Sequence, residues 1–309
     1  MARYDLIAIG ELLADFISTE FASTFEEAAT YRRLMGGSPA NVCLNLAYLG
    51  KKPLMVATVG KDDIGNMFIQ NLENAGVNTA CVTQVKDPTT LILVTRSRAV
   101  SNFEAYRLAD TQITPSQVPH QLFAPGVIYH TTCFGLSRQP ARDTILDGAL
   151  LAFQAGCQLS IDLNYAAKIW PIQSEAQAIV QEYCAYKPLV KVSEVDWQRL
   201  YNTPVDDPEV VLDHFLALGA RAVCLTLGDK GLWVADRDKR YHLEARPVAV
   251  MDTTGAGDAF WAGFLVAWVE GRQLLNCAKA GRAMAEYKLR VLGPISAPVD
   301  KVQLFAELD

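Results

Sequence analysis

Short apolar, β-prone runs alternate with helix-length segments that stop at glycine along most of this chain, and that alternation constrains the fold more than any other feature. Residues 6–9 are predicted to form a strand, 39–49 a helix closed by Gly50, and 54–59 a second strand. Residues 62–75 read as a helix ending at Gly76, 127–134 as a strand, 140–155 as a helix ending at Gly156, and 158–162 as a strand. Residues 188–192, 194–201, 207–218 and 222–227 continue the rhythm. Glycine marks the stops because it accepts the left-handed backbone that closes a helix. Strands joined through helices run parallel, and a parallel sheet needs helices on both faces. With 309 residues, 50% of them hydrophobic, the chain can bury the core of one large α/β domain spanning 1–309. Two stretches, 12–35 and 91–108, mix polar with β-prone residues and lack a helical period. They are expected to add strands outside the main sheet.

Charge and cysteine usage exclude several classes. A net charge of −6 and a pI near 5.3 argue against nucleic-acid or membrane-surface binding. The start, MARYDLIAIGELLADF, has no basic region ahead of an apolar core, so no signal peptide is expected. No apolar run reaches the ~18 residues a membrane span needs. The seven cysteines are dispersed without a C-x-x-C pair, which fits reduced thiols and a cytoplasmic location. The four histidines are dispersed as well and form no metal motif.

The most chemically suggestive stretch is MDTTGAGDAFWAGFLVAW, residues 251–268. Gly255 and Gly257 permit a tight turn, and 259–269 reads as a buried helix with Phe260 and Phe264 one turn apart. The amides of Gly255, Ala256 and Gly257 then lie at a helix N-terminus, where unpaired N–H groups and the dipole favour an anion. Asp258 adds a carboxylate at the same spot. An anion site with a base beside it points to phosphoryl transfer, although an aspartate near a helix start is also a common cap.

The octet running from Asp252 to Ala259 resembles the C-terminal signature of the ribokinase-like (PfkB) family of sugar and nucleoside kinases. MGGSPANVCLNLAYLG, residues 35–50, resembles the family's N-terminal signature, and the two lie more than 200 residues apart in the expected order. The resemblance runs from Leu6 to Pro298. It implies a ribokinase-like α/β fold with a central, mostly parallel sheet flanked by helices on both faces. A small β lid over the sugar would come from 12–35 and 91–108.

The resemblance also implies roles. Asp258 would be the catalytic base, with Gly255, Ala256 and Gly257 as the anion hole. Asp15, in GELLADF, would hold sugar hydroxyls, joined by Gly36, Gly37 and Asn41, and by Arg107 in YRLAD. Lys191 and Ser193 in KVSEVD, with Thr226, Gly228 and Gly231 in LTLGDKG, would line ATP. Asp196 would hold Mg2+ through water. Asp252, Thr254 and Ser296 match the position of a monovalent cation, usually K+, behind the anion hole. Expected partners are therefore a small sugar and ATP, with no nucleic acid and no membrane. Many relatives dimerise through the lid, which makes residues 91–94 the expected contact between two copies.

Three departures bear on the substrate. The motif usually written N-x-x-E carries Ser193 and Asp196 here. IDLNYAAKIWP, residues 161–171, follows the D-x-N-x-R-x-x-x-W stretch of fructokinases and 2-keto-3-deoxygluconate kinases, but with Ala166 at the arginine. That removes a bidentate clamp for an acid group. KLRVLGPISAP, residues 288–298, replaces the usual T-R-x-G-A run beside the cation. The expected activity is phosphorylation of D-fructose to fructose 6-phosphate. A 2-keto-3-deoxygluconate kinase, a ribose or nucleoside kinase, and a non-catalytic binding protein are the alternatives.

Overall fold

A computed structural model of the chain describes residues 4–22, 24–96, 102–306 and 308. Of the two irregular stretches, 12–35 is therefore described except at 23, and 91–108 except at 97–101. The first third contains β1 (Leu6–Ile9), β2 (Leu13–Ser18), β3 (Tyr31–Gly36), α1 (Ser38–Tyr48), β4 (Pro53–Gly60), α2 (Asp63–Asn74), β5 (Asn78–Val85), β6 (Leu91–Thr95) and β7 (Asn102–Tyr106). The middle holds β8 (Ile128–Thr132), α3 (Ala141–Gln154), β9 (Gln158–Asp162), α4 (Gln173–Cys184), β10 (Leu189–Ser193), α5 (Glu194–Tyr201) and α6 (Pro208–Leu218). The last part comprises β11 (Ala222–Thr226), β12 (Leu232–Ala235), β13 (Arg240–Leu243), α7 (Ala256–Val269), α8 (Leu274–Leu289) and the short α9 (Lys301–Leu304).

Nine strands form the main sheet in the order β13-β12-β11-β10-β9-β8-β1-β4-β5. It is parallel from β11 to β5, and β12 and β13 extend it as an antiparallel hairpin. Successive side chains of a strand point to opposite faces. Leu6 and Ala8 thus join one core layer with Trp261 and Phe264 of α7, while Ile7 and Ile9 join the other with Tyr129 and Ile145. Because both faces are covered, the central strands are apolar without alternation. Residues Ala259 to Ala267 of α7 are buried without a break. Each large apolar side chain buried in this way stabilises the fold by about 1.5–3 kcal/mol.

The order places β1 between β8 and β4, so the chain winds outward in both directions from the β1/β8 junction. Ligands of such sheets bind beyond the strands' carboxyl ends at that switch point. Thr132, Asp162, Ser193 and Thr226 are the last residues of β8, β9, β10 and β11 and lie at that end of the sheet.

A second, four-stranded sheet, β3-β2-β6-β7, is built from the two irregular stretches. Residues 91–94 lie in β6, an inner strand whose two edges are taken by β2 and β7. Only its faces are left for a second copy. Six of the described elements went unrecognised in the sequence: β5, β12, β13, α4, α8 and the short α9. β5 is an edge strand with Thr, Asn and Gln on a half-exposed surface, which hides the apolar signal. α8 packs small residues such as Ala278, Ala280 and Gly281 against α7, so its buried stripe carries little bulk to betray it.

Candidate active site

The turn before α7 takes the form its glycines allow. Gly255 is the N-cap with φ 75, a left-handed backbone that disfavours a Cβ. Of the three amides expected in an anion hole, that of Ala256 donates to the Thr253 carbonyl at 3.2 Å. The tight turn thus engages the Ala256 amide.

Asp258, in the first turn of α7, is fixed by α1. Ser38 Oγ donates to Asp258 Oδ1 at 2.6 Å and Asn41 Nδ2 donates to Oδ2 at 2.8 Å. The Ser38 hydroxyl also lies 3.4 Å from Asp162 Oδ2. Asp162 in turn accepts from the Lys191 ammonium at 2.8 Å on each oxygen, and both residues are buried. A Cβ on Gly257 would lie 3.2 Å from Lys191 Nζ, so the ammonium sits directly under the start of α7. Four segments therefore meet in one chain of contacts, Lys191–Asp162–Ser38–Asp258. Burial, and then the Asp162 carboxylate, hold the Asp258 carboxyl above its ordinary range. Burial works against the charge on Lys191, but Asp162 and Asp196 outweigh it and hold the ammonium protonated.

Asp15 is half-buried in β2, with Leu34 and Ile92 as its neighbours across the small sheet. A Cβ on Gly36 would collide with the Asp15 carboxylate, so that glycine makes room for it. Gly37 caps α1 with φ 99, and a Cβ there would strike the Glu11 carbonyl. Burial, and then Asp258, push the Asp15 carboxyl up to about 7. A cavity lined by Asp15, Leu34, Met35, Asn41, Gly255 and Lys288 opens beside these groups. A larger surface cavity between α8 and α9, lined by Lys279, Glu286, Tyr287 and Gln303, holds none of them.

Arg107 is engaged in contacts of its own, and its charge also acts on the buried Glu11 carboxyl. Its guanidinium donates to Asp110 (Nε at 3.0 Å) and to the Ser137 hydroxyl, and it lies 4.1 Å over the Phe134 ring. It braces the end of β7 against the segment after β8. Ala166, where an arginine was expected, opens a turn in which its carbonyl accepts from Ile169 and Trp170. The nearest cation in that stretch, Lys168, is bound to Asn102, Phe103 and Glu104 of β7.

At the carboxyl end of β10, Ser193 and Asp196 form a capping box on α5. Ser193 Oγ accepts from the Asp196 amide at 3.0 Å, and Asp196 Oδ2 accepts from the Ser193 amide at 3.1 Å. Burial pushes the Asp196 carboxyl up to about 6 against the pull of Lys191. Thr226 lies beside Ser193 in the parallel register. Gly228, φ 61, begins the following turn with open space where a Cβ would stand. Gly231 has a packing role, since a Cβ there would collide with the Leu243 carbonyl.

The expected cation group does not assemble as the sequence suggested. Asp252 Oδ1 accepts from the Thr254 amide at 2.9 Å, and Oδ2 accepts from the Gly293 amide at 2.9 Å. Ser296 is exposed. The Lys288 ammonium occupies the position instead, 3.3 Å from both the Asp252 and Val291 carbonyls. A K+ ion sharing those oxygens would face an ammonium at contact distance, so the residues present do not fit a monovalent metal.

Residues 4–301 match the family described as pfkB family carbohydrate kinase. The chain belongs to that family. An ATP-dependent 6-phosphofructokinase of Thermoanaerobacterium thermosaccharolyticum is 34% identical over 293 residues, 95% of this chain and 90% of that one. The solved fructokinase of Halothermothrix orenii is 30% identical with a TM-score of 0.80, covering 94% of this chain and 100% of that one. A fructokinase from Vibrio cholerae O395, solved in fructose, ADP and calcium ion bound form, is 25% identical with a TM-score of 0.84, covering 98% and 99%. The fold is thus the ribokinase-like one, and the enzyme an ATP-dependent sugar kinase.

Several residues around this kinase's site were not singled out from the sequence. Glu11 is buried, with Oε2 accepting from Thr132 Oγ1 at 2.7 Å and Oε1 from the Ser38 amide at 3.2 Å. Burial pushes its carboxyl up to about 7. Ser38, Asp162 and Lys288 complete the set. A charged residue inside an apolar run was the available signal for Glu11, in AIGELLA, and for Asp162, in LSIDLN. Ser38 and Lys288 offered none, because serine at a helix start and lysine at a helix end are ordinary.

Proposed function

We propose that this kinase transfers the γ-phosphoryl group of ATP to D-fructose, giving fructose 6-phosphate. The observation that carries the reading is Asp258, held by Ser38 and Asn41 at the start of α7, beside a cavity whose lining is neutral apart from Asp15 and Lys288. That lining suits an uncharged sugar. Alanine at position 166, with Lys168 engaged by Asn102 and Glu104, counts against an acid sugar.

Phosphoryl transfer passes through a loose, charge-rich transition state, so the protein chiefly positions groups and stabilises charge. Asp258 accepts the proton of the attacking hydroxyl. The Gly255 and Gly257 amides, backed by the Lys191 ammonium, meet the charge on the phosphoryl oxygens. Asp15 accepts hydrogen bonds from sugar hydroxyls. Ser193, Thr226 and Gly228 line the nucleotide side at the carboxyl ends of β10 and β11. Asp196, a hard oxygen donor whose carboxyl feels the Lys191 charge, would hold a Mg2+ ion through one of its waters, and that ion would supply neutralisation of phosphate charge. The seven cysteines, all free thiols, fit a reducing, cytoplasmic setting.

The 34% identity to a 6-phosphofructokinase favours a second reading, in which fructose 6-phosphate is the acceptor. Arg32 supports it. Arg32 shares the Asp15 face of the small sheet, and a Cβ on Gly293 would lie 3.2 Å from its Nη2. Release of ADP from MgATP should be measured with fructose, fructose 6-phosphate, fructose 1-phosphate, glucose, ribose, 2-keto-3-deoxygluconate and adenosine. Fructose is expected to give the highest kcat/KM. A higher value with fructose 6-phosphate, lost in Arg32→Ala, would replace the first reading by the second.

The Asp15 carboxyl adds a pH dependence. Only its ionised form accepts hydrogen bonds on both oxygens. With the free enzyme's carboxyl at about 7, KM for the sugar is expected to rise as pH falls through that value and to level off above it. Far below it the rise approaches about tenfold per pH unit. Asp15→Asn should raise KM throughout and flatten this limb. A limb that survives in Asp15→Asn belongs to another group.

A further inference from the structure

Lys288 stands in the last turn of α8 yet is only 3% exposed. A lysine there ordinarily extends into water while complementing the helix dipole. This one turns inward. Its ammonium lies 3.3 Å from the Val291 carbonyl just beyond its own helix, 3.3 Å from the Asp252 carbonyl, and 3.9 Å from Asp252 Oδ2. The last two belong to the loop that leads into the anion hole. A Cβ on Gly255 would come within 4.0 Å of Lys288 Cε, so the side chain runs directly behind the N-cap of α7.

The two loops are tied at other points. The Met251 amide donates to the Leu289 carbonyl at 2.8 Å, and the Gly293 amide to Asp252 Oδ2 at 2.9 Å. Carbonyl and carboxylate oxygens thus converge from both loops on the Lys288 ammonium. Without that cation, the converging oxygens would repel one another and the turn would relax. A cap of α8 alone would need only the Val291 contact. The two contacts to Asp252 require a role in the other loop.

We propose that the Lys288 ammonium is a built-in monovalent cation that holds the turn through Gly255–Gly257 in register for phosphoryl transfer, so that turnover needs no potassium. Lys288 is a positioning residue, and the inference rests on the kinase reading above. The covalent attachment matters physically: a tethered ammonium cannot dissociate, so the turn stays formed whatever the ionic composition around it.

The test compares the parent enzyme and Lys288→Ala in buffers of equal ionic strength made with potassium chloride or tetramethylammonium chloride. The parent is expected to turn over equally fast in both, to within about twofold. Lys288→Ala should lose about tenfold or more in tetramethylammonium, as expected when an element of an anion hole is disturbed. It should recover in potassium, which a merely structural defect would not do. Thermal unfolding gives a readout without turnover: potassium should raise the midpoint of Lys288→Ala and leave the parent unmoved. Several-fold stimulation of the parent by potassium overturns the proposal, as does full activity of Lys288→Ala without it. If the alanine variant does not fold, Lys288→Met, which keeps the stem and removes the charge, takes its place. Slow turnover with an intact fold then supports the proposal, and parental turnover overturns it. Inactivity of the parent on every sugar would reject the kinase reading, whereas a potassium-dependent midpoint in the parent rejects the built-in cation.

Discussion

Asp258→Asn is expected to lower kcat by about 10²–10⁴-fold, the range that general-base help supplies. KM for the sugar and for ATP should change little. The amide keeps the size of the carboxylate and can still pair with the Ser38 hydroxyl, so the fold should persist. One contact reverses its sense: Asn41 Nδ2 now donates to Asp258 Oδ2, and an amide nitrogen in that place would face another donor. That clash is local to the end of α1. Steady-state kinetics with circular dichroism decides the matter. A folded variant with parental kcat would remove Asp258 as the base and with it the proposed mechanism.

Lys191→Met is expected to produce the largest loss of stability. Lys191 is 6% and Asp162 1% exposed, and the ammonium bonds both Asp162 oxygens at 2.8 Å. Methionine leaves a buried carboxylate unpaired, which typically costs about 3–5 kcal/mol. The urea midpoint should fall accordingly. Lys191→Met with Asp162→Asn together should recover most of the loss, because the charge and its partner are removed in one step. Activity will not recover with it, since the positive charge beneath Gly257 is gone. Lys191 also draws the Asp258 carboxyl downward, against burial and Asp162. In the single variant the acid limb of the pH–kcat profile should therefore move to higher pH. An unchanged urea midpoint would show that the pair is not the cornerstone drawn here.

Much of the architecture was legible because strand and helix periodicities are local. The strands at 6–9 and 158–162 agree with β1 and β9 to the residue, and the helix ends at Gly50, Gly76 and Gly156 follow from backbone geometry. The edge strand β5 and the helix α8 escaped because their burial is set by neighbours distant in sequence. Residues that share a motif were legible in the same way: Gly255, Gly257 and Asp258 lie together because they are adjacent in the chain.

Partnership was the part that only the tertiary structure decided. Ser38, Asp162, Lys191 and Asp258 come from α1, β9, β10 and α7, and the register that sets Asp162 beside Lys191 lies between two strands. No spacing in the sequence encodes that register. The same holds for Lys288, an unremarkable helix-end lysine until the fold brings the Asp252 carbonyl to 3.3 Å from its ammonium. The sequence by itself determined most of the parallel strands, the helices that end at glycine and the glycine turn before α7, because those choices depend on neighbours along the chain. Which carboxylate is paired, which amide the turn engages and which ammonium stands behind it depend on contacts across the chain, and those exist only once the parallel sheet has closed its order.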